Sequence, residues 1–314
     1  MAMRAAADGG GPGGPGMTMA SMSMADMDGV EVVTADGEKL AVFHKFSGWP
    51  ELKEAVMSGR VKAAYLLAPM VMDLADHDVP VKIVALGHRS GAVIMTSSKS
   101  AARNLGDLRG KRIAIPSRFA VDNIFVHRLM KKYGLTDRDV TLVEMAPPDM
   151  PAALYAGAID AYATGEPFGA LAQRQGYARV LHMTRDEWPE YICCVLAVRQ
   201  ELIDNERATV QRLVDHVLAA GEWLESDTTH RHLAADLAAR REFFNQDSAL
   251  IRFVMDNPKD RVTYGDLRLV RAEFDELMQL AVDGKILTRP VAYEKYVDDS
   301  FVRAYRPKRI QIAK

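Results

Sequence analysis

The chain has 314 residues, of which 48% are hydrophobic and 26% charged, with a formal net charge of −2 and a pI near 6.5. That balance is ordinary for a globular protein of one large or two medium domains. It offers no basic field for nucleic acid and no basic amphipathic run for a membrane surface. The longest apolar run, residues 63–72, is too short to cross a bilayer.

In chain order, residues 1–28 come first, a Gly/Met-rich leader without apolar periodicity. It is expected to be disordered and has no continuous apolar stretch of a signal peptide. From about Gly29 strands and helices alternate. "LAVFHKF" is a strand, and "GWPELKEAVMSGR" a helix stopped at Gly59. "VKAAYLLAP" is a strand, "MVMDLADHD" a helix, and "VKIVALGH" and "GAVIMTS" are strands. The segment 112–115 is a core strand, and 121–133 a helix ending at Gly134. "VTLVEMA" (strand), "MPAALYAG" (helix), "IDAYATG" (strand), "PFGALAQRQG" (helix) and "ARVLHM" (strand) follow. After "YICCVLAVR" the pattern turns helical, from residue 201 to about 285, and ends in a basic tail, 306–314. Alternation of this kind predicts α/β layers with largely parallel sheets. The two cysteines, Cys193 and Cys194, are neighbours in an apolar run. A bridge between adjacent cysteines strains the peptide, and no zinc-ligand spacing is present, so both read as core thiols.

The strongest internal signal is a repeat. "EAVMSGRVKAAYLLAPM" aligns with "AALYAGAIDAYATGEPF" without a gap. Ala55 meets Ala153, Gly59 meets Gly157, Val61 meets Ile159, Ala63 meets Ala161 and Pro69 meets Pro167. Each copy is a helix, a Gly stop, a strand, then a Pro that opens the next helix. Proline fits there because first-turn N–H groups have no helical partner. Two similar lobes with a cleft between strand ends are expected, the place where open α/β sheets bind ligands.

The segment "PPDMPAALYAGAIDAYATGEPFGALAQRQGY" resembles the ABC-transporter solute-binding proteins for nitrate, bicarbonate, sulfonates and taurine. "SGWPELKEAVMSGRVKAAYLLAPM", "AAGEWLE" and "RREFFNQDSALIRFVM" resemble other parts of that family, so the likeness runs from about Gly29 to Tyr305. It implies a two-lobed periplasmic-binding-protein (type II) fold, with 29–90 plus 200–305 as lobe 1 and 91–199 as lobe 2. It implies a monomer that holds a small anionic solute and hands it to an ABC permease. A periplasmic location follows from the resemblance, a cytoplasmic one from the chain's own start. The chain departs from the family in four places. The first-lobe strand and helix that precede the match to Val30 are replaced by the leader. Asp122 stands where nitrate-type members carry a His, Tyr191 where they carry a Lys, and Ala92 where they carry a Gln. These losses remove donors that an oxyanion needs and argue against nitrate itself.

Candidate ligand residues sit at strand ends and helix starts. They are Ser47, Gly48 and Trp49 after the first strand, and Ala68, Pro69 and Met70 at the first repeat tip. His88 lies at a crossing, and Ser117, Arg118, Phe119 and Asp122 surround a helix start. Glu166 and Phe168 form the second tip, and Tyr191 the return crossing. Arg118 offers a fork for an anion. Glu166 is either a ligand acceptor or the partner of a cleft arginine. No catalytic residue, metal ligand or cofactor is expected, because no nucleophile elbow, Walker loop or HExxH occurs. The alternatives are a cytoplasmic sensor of the same fold and, on fold analogy alone, a pyrimidine-synthase-like enzyme.

Overall fold

The computed structural model describes residues 2–4, 30–33, 39–46, 48–189, 191–241, 243 and 245–310. Strands β1 (Ala2–Arg4), β2 (Val30–Val33) and β3 (Lys39–Phe43) form a small antiparallel sheet. Thus Ala2–Arg4, inside the leader expected to be disordered, pairs with β2. Residue 1 and residues 5–28 of that leader lie outside the described residues. Helix α1 (Trp49–Met57), β4 (Ala63–Leu67), α2 (Ala68–Asp76) and β5 (Val81–Leu86) follow. The chain then crosses through β6 (Arg89–Ser90) into β7 (Ala92–Ser97).

The chain continues with β8 (Arg112–Ile115), α3 (Val121–Lys132) and β9 (Thr141–Glu144). Next come α4 (Met150–Tyr155), β10 (Ala161–Gly165), α5 (Phe168–Arg174), β11 (Ala178–Met183) and the short α6 (Thr184–Glu187). The chain returns through β12 (Cys194–Arg199), then α7 (Gln200–Asn205), α8 (Arg207–Ser226), α9 (Thr228–Ala239) and α10 (Ser248–Asp256). It closes with β13 (Val262–Thr263), α11 (Arg271–Asp283), α12 (Tyr293–Tyr296) and α13 (Ser300–Arg303).

Two sheets carry the core, one in the order β4-β12-β5 and the other β11-β7-β10-β8-β9. The first is antiparallel and the second mixed, which corrects the expectation of largely parallel sheets. β10 and β9 run parallel to β8, but β7 is antiparallel to β10 and β11, and β12 is antiparallel to β4 and β5. The reason is where the chain changes lobe. Outgoing and returning crossings lie side by side: the Ser90 amide donates to the Tyr191 carbonyl, and Arg89 bridges Ile192. β12 therefore starts where β5 ends, and β7 starts where β10 ends, so each must run against its neighbour. The outgoing crossing turns on two left-handed residues, Ser90 (φ 57°) and Gly91 (φ 88°).

The repeat is present in the backbone. Ser58 donates to Glu54 and Gly59 to Val56; the corresponding Ala156 donates to Ala152 and Gly157 to Leu154. Both stop glycines take left-handed φ, 77° at Gly59 and 73° at Gly157, which glycine adopts without steric cost. β4 and β10 then begin at Ala63 and Ala161, the aligned alanines.

Candidate functional site

The register of the first sheet brings the site together. Leu67, the last residue of β4, is opposite Cys194, and the α2 N-terminus begins at the next residue. Ala68, Pro69 and Met70 are buried there, and Leu67 at the N-cap supplies no side-chain cap. The Gly87 amide donates to the Cys194 carbonyl, which places His88 beside the start of β12. Neighbours on a regular strand point to opposite faces. Cys193 precedes β12, in irregular backbone, and its sulfur lies on the same side as that of Cys194. One ring nitrogen of His88 and the two sulfurs all lie within 4.8 Å of one another.

Asp122, in the first turn of α3, and Tyr191, on the return crossing, complete the cluster from the second lobe's side. Both are buried, at 3% and 0% exposure, and neither Asp122 Oδ1 nor the Tyr191 hydroxyl has a hydrogen-bond partner. His88 Nδ1 is likewise unpartnered. Tyr191 is held from the sides by Phe125 and Trp188, whose rings lie 6.2 and 5.2 Å away, edge to face. Burial pushes the Asp122 carboxyl up to about 7, with Cys194 adding to the rise, and drives the Tyr191 hydroxyl well above its usual value. Cys193 hydrogen-bonds Cys194, which raises the Cys193 thiol and, with His88, holds the Cys194 sulfur toward thiolate. Burial opposes a charged His88, but the hydrogen bond and charge of Cys194 prevail and hold the imidazole above its usual value. The cluster therefore gathers an imidazole, two sulfurs, a carboxyl and a hydroxyl at one place, with Asp122, Tyr191 and Cys193 buried and His88 and Cys194 half-buried. Both cysteines are the core thiols that the sequence predicts, Cys193 within the main core and Cys194 packed against it, but their closeness to His88 depends on irregular backbone that residue type does not reveal.

The other expected residues are placed elsewhere. Ser47 lies outside the described residues. Gly48 is the N-cap of α1, and Trp49 packs half-buried against the main core. The loop 117–119 spends its own N–H groups. The Arg118 amide donates to Glu144, the Phe119 amide to Ser117 Oγ, and the Ala120 amide to the Ser117 carbonyl. The Arg118 side chain is exposed and lies 4.5 Å over the Phe119 ring. From α1, Lys53 approaches the same ring at 4.7 Å while pairing with Asp73 at 2.7 Å. Sequence reasoning missed this cation, whose only local signal was a Lys on the face of α1.

Glu166 is the partner of an arginine. Its carboxylate sits 2.7 Å from Arg261 Nε, both side chains almost fully buried, and its second oxygen accepts from the Ala170 amide. At the second repeat tip the free helix-start amide thus meets Glu166, whereas the first tip has no such cap. Phe168 is half-buried, and its carbonyl accepts from the Tyr162 hydroxyl.

A family model described as NMT1-like matches residues 14–239. The chain belongs to the NMT1-like family. Among relatives, the nitrate/nitrite binding protein NrtA of Nostoc sp. is 25% identical over 71% of this chain and 55% of its own length. The chain spans only 33% of a second curated relative, the nitrate import ATP-binding protein NrtC of Synechocystis sp.. Among solved structures, the ligand-binding component of an ABC-type import system from Staphylococcus aureus, solved with zinc bound, is 27% identical. It superposes with a TM-score of 0.74 over 84% of this chain and 87% of that one. The periplasmic nitrate-binding protein NrtA of Synechocystis PCC 6803 gives a TM-score of 0.76 at 14% identity, over 83% and 78% of the two chains. The two-lobed fold of this NMT1-like chain is thereby that of periplasmic binding proteins. Among the described residues, no helix is long and apolar enough to cross a membrane.

Proposed function

We propose that the chain is the solute-binding protein of an ABC-type importer and takes one small anionic solute at the junction of its two lobes. The observation that carries this reading is the buried locus of His88, Asp122 and Tyr191, where three polar atoms have no partner inside the protein. Buried polar groups are nearly always satisfied, so unpartnered ones gathered at a lobe junction favour a ligand that satisfies them. The Tyr191 hydroxyl and the imidazole can donate to an oxygen of a sulfonate- or taurine-like anion. The α2 N-terminus, which has no side-chain cap, lies beside Cys194 and adds a favourable dipole. Nitrate-type donors are absent at Asp122, Tyr191 and Ala92, which supports a larger anion than nitrate.

In this reading the lobes are 29–90 plus 200–305 and 91–199, and closure is a hinge about Gly87 to Gly91 and the Tyr191 return. The protein is a periplasmic monomer, its partner is the importer's permease, and it releases its solute chemically unchanged. A thermal-shift panel of nitrate, bicarbonate, sulfate, taurine and short alkanesulfonates tests it. One anion is expected to stabilise the protein, by about 2.7 kcal/mol at a hundredfold excess over Kd. Tyr191→Phe is expected to shrink that gain, and the exposed Arg118→Ala to leave it unchanged. No shift from any member of the panel contradicts the reading.

A further inference from the structure

We propose that His88, Cys193 and Cys194 form a three-ligand site for a thiophilic d10 cation of the Zn2+ class. The site shares His88 with the solute reading but does not depend on it, since the ion can bind whether or not the cleft takes an anion. Three observations converge on it. First, the donor set is two thiols and one imidazole, the set that selects zinc over hard cations such as Mg2+ and Ca2+. Second, the three donor atoms already lie within 4.8 Å of one another. A tetrahedral ion with Zn–S near 2.3 Å and Zn–N near 2.0 Å needs donors roughly 3.5–3.8 Å apart, so small side-chain rotations close the site. Third, the neighbours leave capacity for a guest: Asp122 Oδ1 and the Tyr191 hydroxyl are unpartnered, and both residues are more than nine-tenths buried.

The backbone explains why adjacent cysteines serve here. A regular strand would aim them apart, but β12 begins only at Cys194, and the bridge of Ile192 to Arg89 anchors the irregular step before it. Both sulfurs then face His88 at the end of β5. The alternative fate of the pair, a disulfide between neighbours, carries peptide strain, whereas chelation by the two sulfurs does not need the S–S geometry. Three protein ligands leave a fourth position for water or for an incoming solute atom.

Cobalt(II) titration of the reduced full chain tests the assignment. One Co2+ per chain is expected, with a sulfur-to-cobalt charge-transfer band that Zn2+ then abolishes by displacement. Cys194→Ser and Cys193→Ser are each expected to halve that band, and His88→Gln to keep it while weakening uptake by more than about tenfold. If a cysteine variant fails to fold, the wild-type protein decides: Zn2+ must protect both thiols from a maleimide reagent. Co2+ uptake without a charge-transfer band, a band undiminished in both cysteine variants, or thiols that Zn2+ leaves unprotected each overturn the site. Loss of the solute-induced thermal shift with cobalt binding intact would count against the transport reading alone.

Discussion

At Gly221 helix α8 passes so close to the loop after β13 that a Cβ would stand 2.3 Å from the Tyr264 carbonyl oxygen and 2.9 Å from Leu267 Cδ1. The first contact is with backbone, which cannot rotate away. Gly221→Ala is therefore expected to destabilise the protein by about 1–3 kcal/mol in denaturant unfolding, against the small gain alanine brings to an open helix. A wild-type midpoint for that variant would show that the two elements are not in contact. Glu166 makes the complementary case for charge. Glu166→Ala leaves the buried Arg261 guanidinium without its carboxylate, a loss of about 3–5 kcal/mol. Arg261 keeps its bonds to the Asn257 carbonyl and Gln173, so the variant is expected to fold but melt earlier. The sequence allowed two roles for Glu166 and could not choose, because its partner comes from a loop far along the chain.

Elements that depend on local chemistry were legible. The stop glycines Gly59 and Gly157, the two prolines and the apolar alternation placed both repeat copies, and Arg112–Ile115 and Ala178–Met183 fall where they were expected. What depends on chain return was not legible. Nothing in "YICCVLAVR" says that it enters between β4 and β5, or that it runs against both. The buried Arg231 belongs to the same class. Its guanidinium donates to the carbonyls of Met255, Lys259 and Val262 and so ties α9 to the end of α10 and to β13. A further link of this kind gives a pH test. His182 on β11 accepts the Leu105 amide at Nε2 and faces Glu187 at Nδ1, with Lys132 behind that carboxylate. Burial, and the repulsion of Lys132, hold the imidazole below its usual value despite Glu187. Because the folded value is depressed, the stability it contributes is present above the unfolded value and is lost as pH falls. Unfolding free energy is thus expected to drop between roughly pH 7 and 5, and His182→Gln, which can still accept from Leu105, to flatten that slope. An unchanged slope in the variant would assign the acid loss to other groups.

Across the whole molecule, an antiparallel and a mixed sheet meet at a pair of crossings, and polar residues from both sides gather there. Ties across the sequence hold the arrangement: Arg128 on α3 pairs with Glu276 on α11 at 2.7 Å, and Lys53 on α1 reaches the Phe119 ring. The resemblance carried the two-lobed fold correctly, since family patterns mark element order. Element order does not reveal which side chains meet at the crossings, so His88 and the two cysteines come together only in the folded chain. The central claim is that this junction holds a single anionic solute. Calorimetric titration of the purified chain with taurine and short alkanesulfonates tests it most directly, with Tyr191→Phe and Arg118→Ala beside the wild type. The account predicts one solute per chain, bound at least about tenfold more weakly by Tyr191→Phe, the loss expected for one buried hydrogen bond, and equally well by Arg118→Ala. Binding that survives in Tyr191→Phe and fails in Arg118→Ala would contradict it and move the site to the exposed loop.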